Sequence, residues 1–137
     1  MTGAMEWISN FLYAAMLAGV PLLYGTLGEI LTEKAGNVNL GVEGMMYMGA
    51  VFGFMGAYYL DSAAAALLFA FLGGLGGALV YAFLTVTLKA NQNVAGLTLT
   101  IFGTGLANLL GTNMVNASGS GAAMVSDSIK AIFRPLE

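Results

Sequence analysis

Charge is distributed so sparsely along this chain that four long stretches, 7–28, 44–60, 62–88 and 90–126, carry none at all. A helix that crosses a bilayer needs about 20 consecutive, predominantly apolar residues, and each stretch can hold about one. Only 8% of the 137 residues are charged and 58% are hydrophobic, against about 25% charged in an average soluble domain. The chain therefore reads as an integral membrane protein. The expected fold class is all-α: a polytopic transmembrane helical bundle of about four spans, forming one segment over residues 1–137, with a short interfacial C-terminal helix.

The first span is expected at about 7–31, with Trp7 in the interface and Pro21 near the middle, where it can kink the helix. A loop from Thr32 to Val38, containing Gly36, leads to Asn39, a candidate cap for a helix over 40–60. That helix would rise ~31 Å and carry Tyr58 and Tyr59 into the far interface. The turn Asp61-Ser62 precedes a third span at 63–88, and Lys89 to Asn93 separates it from a fourth at 94–115. Residues 116–121 are small and polar, as a loop would be. Beyond them Ile129, Ile132, Phe133 and Leu136 recur at helical spacing.

With no Cys and no His, disulfides, thiolate nucleophiles, imidazole bases and the usual zinc sites are excluded. No catalytic residue, metal or cofactor is expected, and the chain is not expected to be an enzyme. A net charge of −3 with four scattered basic residues provides no polycationic stripe for nucleic acid. Glu6 ahead of a full-length span is unlike the basic start of a cleavable leader, so the N-terminus is expected to be retained. Lys34 and Lys89 place their loops in the cytoplasm and the N-terminus outside. Lys130 and Arg134 run against that orientation, because four spans return the tail to the outside.

Small residues recur every four positions: Gly49-Gly53-Ala57 in the second span, Gly73-Gly77 in the third and Gly103-Ala107-Gly111 in the fourth. This spacing lets helix backbones approach closely and marks packing faces. Nine Met residues, with Met45, Met46 and Met48 clustered, suit core filling or a soft wall along a substrate path. Glu29, Glu33 and Lys34 read as a solvated helix end or a docking surface for a cytoplasmic subunit. Lys89 with Asn91, Gln92 and Asn93 reads as a short polar loop or a partner contact.

Asn37, Asn39 and Glu43 form the constellation that most needs explaining, since they stand between two apolar runs. In one reading they interrupt the helical path and line a polar cavity, because irregular backbone at membrane depth survives only where protein or water satisfies it. In the other, Asn39 caps a helix and Glu43 complements its dipole in the first turn of a solvated loop.

Three stretches carry a family resemblance: Gly19-Val20-Pro21-Leu22-Leu23, the run from Gly28 to Met46 that includes Gly36-Asn37-Val38-Asn39-Leu40-Gly41-Val42-Glu43-Gly44, and Asn93 to Leu106. Together they resemble permease subunits of bacterial ABC importers, in particular the nucleoside and simple-sugar branch associated with basic-membrane lipoproteins. Branched-chain amino-acid permeases are more distant relatives with a similar layout. The resemblance implies a permease component in the cytoplasmic membrane, multi-pass in the lipid bilayer. It implies three kinds of partner: a second permease subunit in a homo- or heterodimer, a cytoplasmic ATP-binding subunit, and an extracellular or periplasmic substrate-binding protein. It also places Asn37, Asn39 and Glu43, with Gly41 and Gly44, near the translocation path. Family members are about twice this length, so the chain is expected to be an N-terminal fragment or to be completed by another polypeptide. A branched-chain amino-acid permease and a non-transporting membrane scaffold remain as alternatives.

Overall fold

The structure, a computed structural model, describes residues 2–119 and 123–133. Within them the chain forms five α-helices: α1 (Thr2–Lys34), α2 (Val42–Leu60), α3 (Ala63–Ala82), α4 (Gln92–Ala117) and α5 (Asp127–Phe133), with a π-helical turn, Phe83–Thr87, continuing α3. The part of the expected C-terminal helix beyond Phe133, including Arg134 and Leu136, lies outside the described residues. The chain divides into two compact units, residues 1–38 and 39–137.

The first unit is α1 and its terminating turn. Trp7 and Phe11, one helical turn apart, stack with ring centroids 5.6 Å apart. Apolar side chains such as Leu12, Met16, Leu22 and Leu31 are exposed on its different faces, the pattern of a helix that meets lipid or partner helices rather than water. Pro21 lies inside the helix, where it removes one backbone donor. The helix stops because Gly36 adopts φ +86°. Gly36 N–H then donates to Glu33 O at 2.9 Å and Asn37 N–H to Thr32 O at 3.0 Å. These paired bonds satisfy carbonyls that a helix end leaves orphaned, and glycine is the residue that reaches this conformation without strain.

In the second unit α2 and α3 form an antiparallel hairpin. Asp61 takes a left-handed conformation (φ 44°) and its N–H closes α2 on Ala57 O, while the Ser62 hydroxyl accepts from Ala65 N–H to open α3. Close packing follows from small residues. A Cβ on Gly53 would stand 2.9 Å from Ala70 Cβ, one on Gly73 2.9 Å from Met48 O, and one on Gly77 3.0 Å from Met45 Cγ. Gly49 likewise faces Ala70 O at 3.1 Å. The π turn ends with Leu88 N–H bonded to Phe83 O at 3.0 Å. Asn91 then caps α4, its side chain accepting from the N–H groups of Asn93 and Val94 at 3.1 and 3.2 Å.

Among the described residues, three helical stretches are long and apolar enough to cross a membrane: Gly3–Lys34, Ala63–Thr87 and Gln92–Ala117. The stretch expected as another span, 40–60, does form a helix but is not among them. Glu43, Tyr58, Tyr59 and four glycines lower its apolarity, and it is held in the bundle by contacts with α3 and α4 instead. Among the described residues two small cores result. Tyr81, Ala95 and Leu99 cluster with Met45 and Leu84, joining α2, α3 and α4 near Lys89. At the Asp61 end Ala57 and Ala66 are covered by Ile129 and Val125, which seat α5 on the hairpin.

Candidate functional site

The non-helical residues Asn39 to Gly41 run along the start of α4 with almost no space between the backbones. A Cβ added to Gly96 would lie 2.8 Å from Leu40 N and 2.9 Å from Gly41 N. Within α2 the approach continues: a Cβ on Gly44 would overlap Leu99 O and lie 2.6 Å from Thr100 Cα, and one on Gly103 would overlap Gly44 O. Helix α2 thus enters the bundle through a glycine seam made by Gly41 and Gly44 on one side and Gly96 and Gly103 on the other.

Asn39 is 5% exposed, so its amide must find partners inside the protein. Its Oδ1 accepts from Gly41 N–H at 3.0 Å, and its Nδ2 donates to Met45 Sδ at 3.7 Å. The expectation that Asn39 caps a helix beginning at Leu40 is corrected here. The side chain turns back on the residue two positions ahead, Gly41 occupies the cap position with φ −90° and ψ 0°, and the helix begins at Val42. From α4, the Thr100 hydroxyl donates to Leu40 O at 2.8 Å, tying the loop to a helix 60 positions away in sequence.

Glu43 is exposed and stands in the first turn of α2, where its carboxylate complements the helix dipole. Asn39 and Glu43 therefore face different surroundings: one is absorbed into the loop's own bonding, the other is available to water, ligand or partner. Asn37 belongs to the first unit, half-buried, with its N–H completing the α1 turn. Of the glycines with packing spacing, Gly49, Gly53, Gly73, Gly77 and Gly103 stand against neighbouring helices, while Gly111 has nothing within 4 Å of where a Cβ would lie. Gly96 and Thr100 are the participants that spacing alone passes over. The signal was Gly96-Thr100-Gly103, one face of α4 at intervals of four and three, which continues the Gly103-Ala107-Gly111 stripe toward the start of the helix.

No group of three or more carboxylates that could hold a metal occurs among the described residues. A cavity of about 360 Å³ between the α2–α3 hairpin and Val125 and Ile129 is lined by apolar residues only. It offers no hydrogen bonds to a polar solute.

Residues 8–133 match the family described as the permease component of the branched-chain amino acid transport system. A putative glucose ABC transporter permease of Haloferax volcanii is 39% identical over 122 residues, covering 85% of this chain and 36% of that protein. A guanosine ABC transporter permease of Bacillus subtilis is 30% identical over 107 residues, 74% of this chain and 34% of that one. The chain thus spans about a third of the length of these curated relatives. No solved structure matches it. By the extent of the family match and the apolar helices that accompany it, the chain belongs to the branched-chain amino acid transport system permease family and is a membrane protein.

Proposed function

We propose that this chain is part of the membrane permease of an ABC importer for simple sugars or nucleosides in the cytoplasmic membrane. The observation that carries the reading is the similarity to permeases named for glucose and for guanosine. A sugar and a ribonucleoside both present several hydroxyls. The importer would couple transport to ATP hydrolysed on a separate cytoplasmic subunit, receive substrate from an external binding protein, and pair this permease with a second one. The Lys89 loop would face the cytoplasm by the positive-inside rule. The entry to α2 would border the path, with Glu43 offering a polar contact and Asn39, Gly41 and Gly44 shaping its wall.

Uptake of labelled glucose and guanosine by cells carrying the complete operon tests this reading. Glu43→Gln and Asn39→Ala are expected to lower uptake, and unchanged uptake in both removes the α2 entry from the path. The family description favours one second reading, a branched-chain amino-acid permease. Competition of uptake by leucine, with none by glucose or guanosine, would select it.

A further inference from the structure

Four threonines in these helices bond in the same way, Thr32 turns to the carbonyl and carboxylate of Glu29, and Thr100 leaves its own helix. Thr26 donates to Leu22 O, Thr85 to Tyr81 O, Thr98 to Val94 O and Thr104 to Thr100 O, each at 2.8–2.9 Å and each to the carbonyl four residues earlier. Thr100 lies in the same helix as Thr98 and Thr104, yet its hydroxyl leaves the helix and donates to Leu40 O at 2.8 Å. The carbonyl its neighbours' habit would assign to it is that of Gly96. That oxygen faces the same loop: a Cβ on Gly41 would stand 3.2 Å from it.

We infer that Thr100 is a positioning residue, a reversible latch whose hydroxyl exchanges between Leu40 O and Gly96 O as the Asn39–Gly41 segment moves against α4 during transport. The inference rests on the transport reading above and assigns that site a moving part. Losing a hydrogen bond costs free energy, so a bond that breaks without replacement would resist motion. Here the replacement acceptor is one helical turn away on Thr100's own helix. Glycine at 41, 44, 96 and 103 sets backbone against backbone along the seam, with Met45 and Leu99 packed beside it. On release, the Leu40 carbonyl becomes an acceptor without its hydroxyl donor. A polyhydroxy substrate supplies donors of the same chemistry as the threonine it has lost.

The test uses the complete transporter with its ATPase and binding protein. A Leu40→Cys reporter is placed in a chain that has no cysteine of its own, and maleimide labelling of the peptide containing position 40 is followed by mass spectrometry. Thr100→Val keeps the shape and removes the hydroxyl, Thr100→Ser keeps the hydroxyl, and Thr98→Val removes a hydroxyl that serves only its own helix. Loss of one hydrogen bond corresponds to roughly a 5-fold change in an equilibrium, so Thr100→Val should speed labelling by about that factor. Thr100→Ser and Thr98→Val should label like the parent. Maximal uptake should fall in Thr100→Val and return in Thr100→Ser, with the substrate concentration for half-maximal rate changing less. Unchanged labelling in Thr100→Val, equal effects of Val and Ser, or faster labelling with unaltered maximal uptake overturns the proposal. Absence of glucose and guanosine uptake in every version would instead overturn the transport reading, and the labelling rates would still decide the latch.

Discussion

Gly44 of α2 and Gly103 of α4 meet backbone to backbone: a methyl group on Gly103 would overlap the carbonyl oxygen of Gly44, and one on Gly44 would overlap that of Leu99. Neither obstacle is a flexible side chain, so relief requires a helix to move. Gly44→Ala is expected to cost about 1–3 kcal/mol as overpacking. Gly105→Ala, two residues from the seam with nothing within 4 Å, is expected to be neutral or stabilising by up to about 1 kcal/mol through helix propensity. Thermal unfolding of both variants in detergent separates the two cases, and equal midpoints would contradict the seam.

Gly36 supports a second prediction. Its φ of +86° is a conformation that a side chain resists, although nothing lies within 4 Å of where a Cβ would point. Gly36→Ala should therefore destabilise the end of α1 by about 1–2 kcal/mol through backbone strain alone. Faster amide exchange at residues 36 and 37, with exchange in α4 unaltered, is the expected signature.

At Asn39 the prediction concerns one bond. Asn39→Ala leaves the Gly41 N–H without its acceptor in a buried loop, which should cost about 1–3 kcal/mol. Asn39→Asp keeps an acceptor but loses the Nδ2 donor to Met45 and adds a charge in a buried position. Both variants should loosen the α2 entry, whereas Glu43→Gln, changing an exposed side chain, should leave the melting temperature within about 0.5 kcal/mol of equivalent stability.

The ion pair in α5 makes stability there sensitive to acid. Lys130 Nζ lies 2.9 Å from Asp127 Oδ1, and this hydrogen bond, with the added attraction of the ammonium charge, holds the Asp127 carboxyl below the usual carboxylate range. A depressed folded value means the contribution is present above the unfolded value and is lost as pH falls through the folded one. Because Asp127 is fully exposed, the effect should be small. An NMR titration of the Asp127 carboxyl should move toward the ordinary value in Lys130→Met, and no movement would show the pair to be idle.

Helical class and family were legible in the residues themselves, because uncharged runs of span length and the Gly36-to-Met46 motif are local properties. The start of α2 was not. Asn39 has the chemistry of a cap, but burial against α4 gives its amide a nearer donor in Gly41 N–H and shifts the helix to Val42. Periodicity of small residues likewise shows that a face is small without showing what crosses it. On α4 the crossing falls at Gly96, Thr100 and Gly103, because that is where the α2 entry lies, and Gly111 is left outside it. The same limit applies to Asn39 and Glu43: sequence groups them as polar, and only the fold separates a buried amide from an exposed carboxylate.

The length of α1 carries one more consequence. Its 33 residues rise ~50 Å, whereas bilayer hydrocarbon is about 30 Å thick. The uncharged portion from Trp7 to Gly28 accounts for ~33 Å of that rise and so matches the hydrocarbon with little mismatch to relieve by tilt. About half of the surplus is the last turn and a half, Glu29 to Lys34, which would reach ~9 Å beyond hydrocarbon filled by residues 7–28. With residues 7–28 in the hydrocarbon, the turn at Gly36 would stand beyond the lipid tails, where water can solvate its backbone groups.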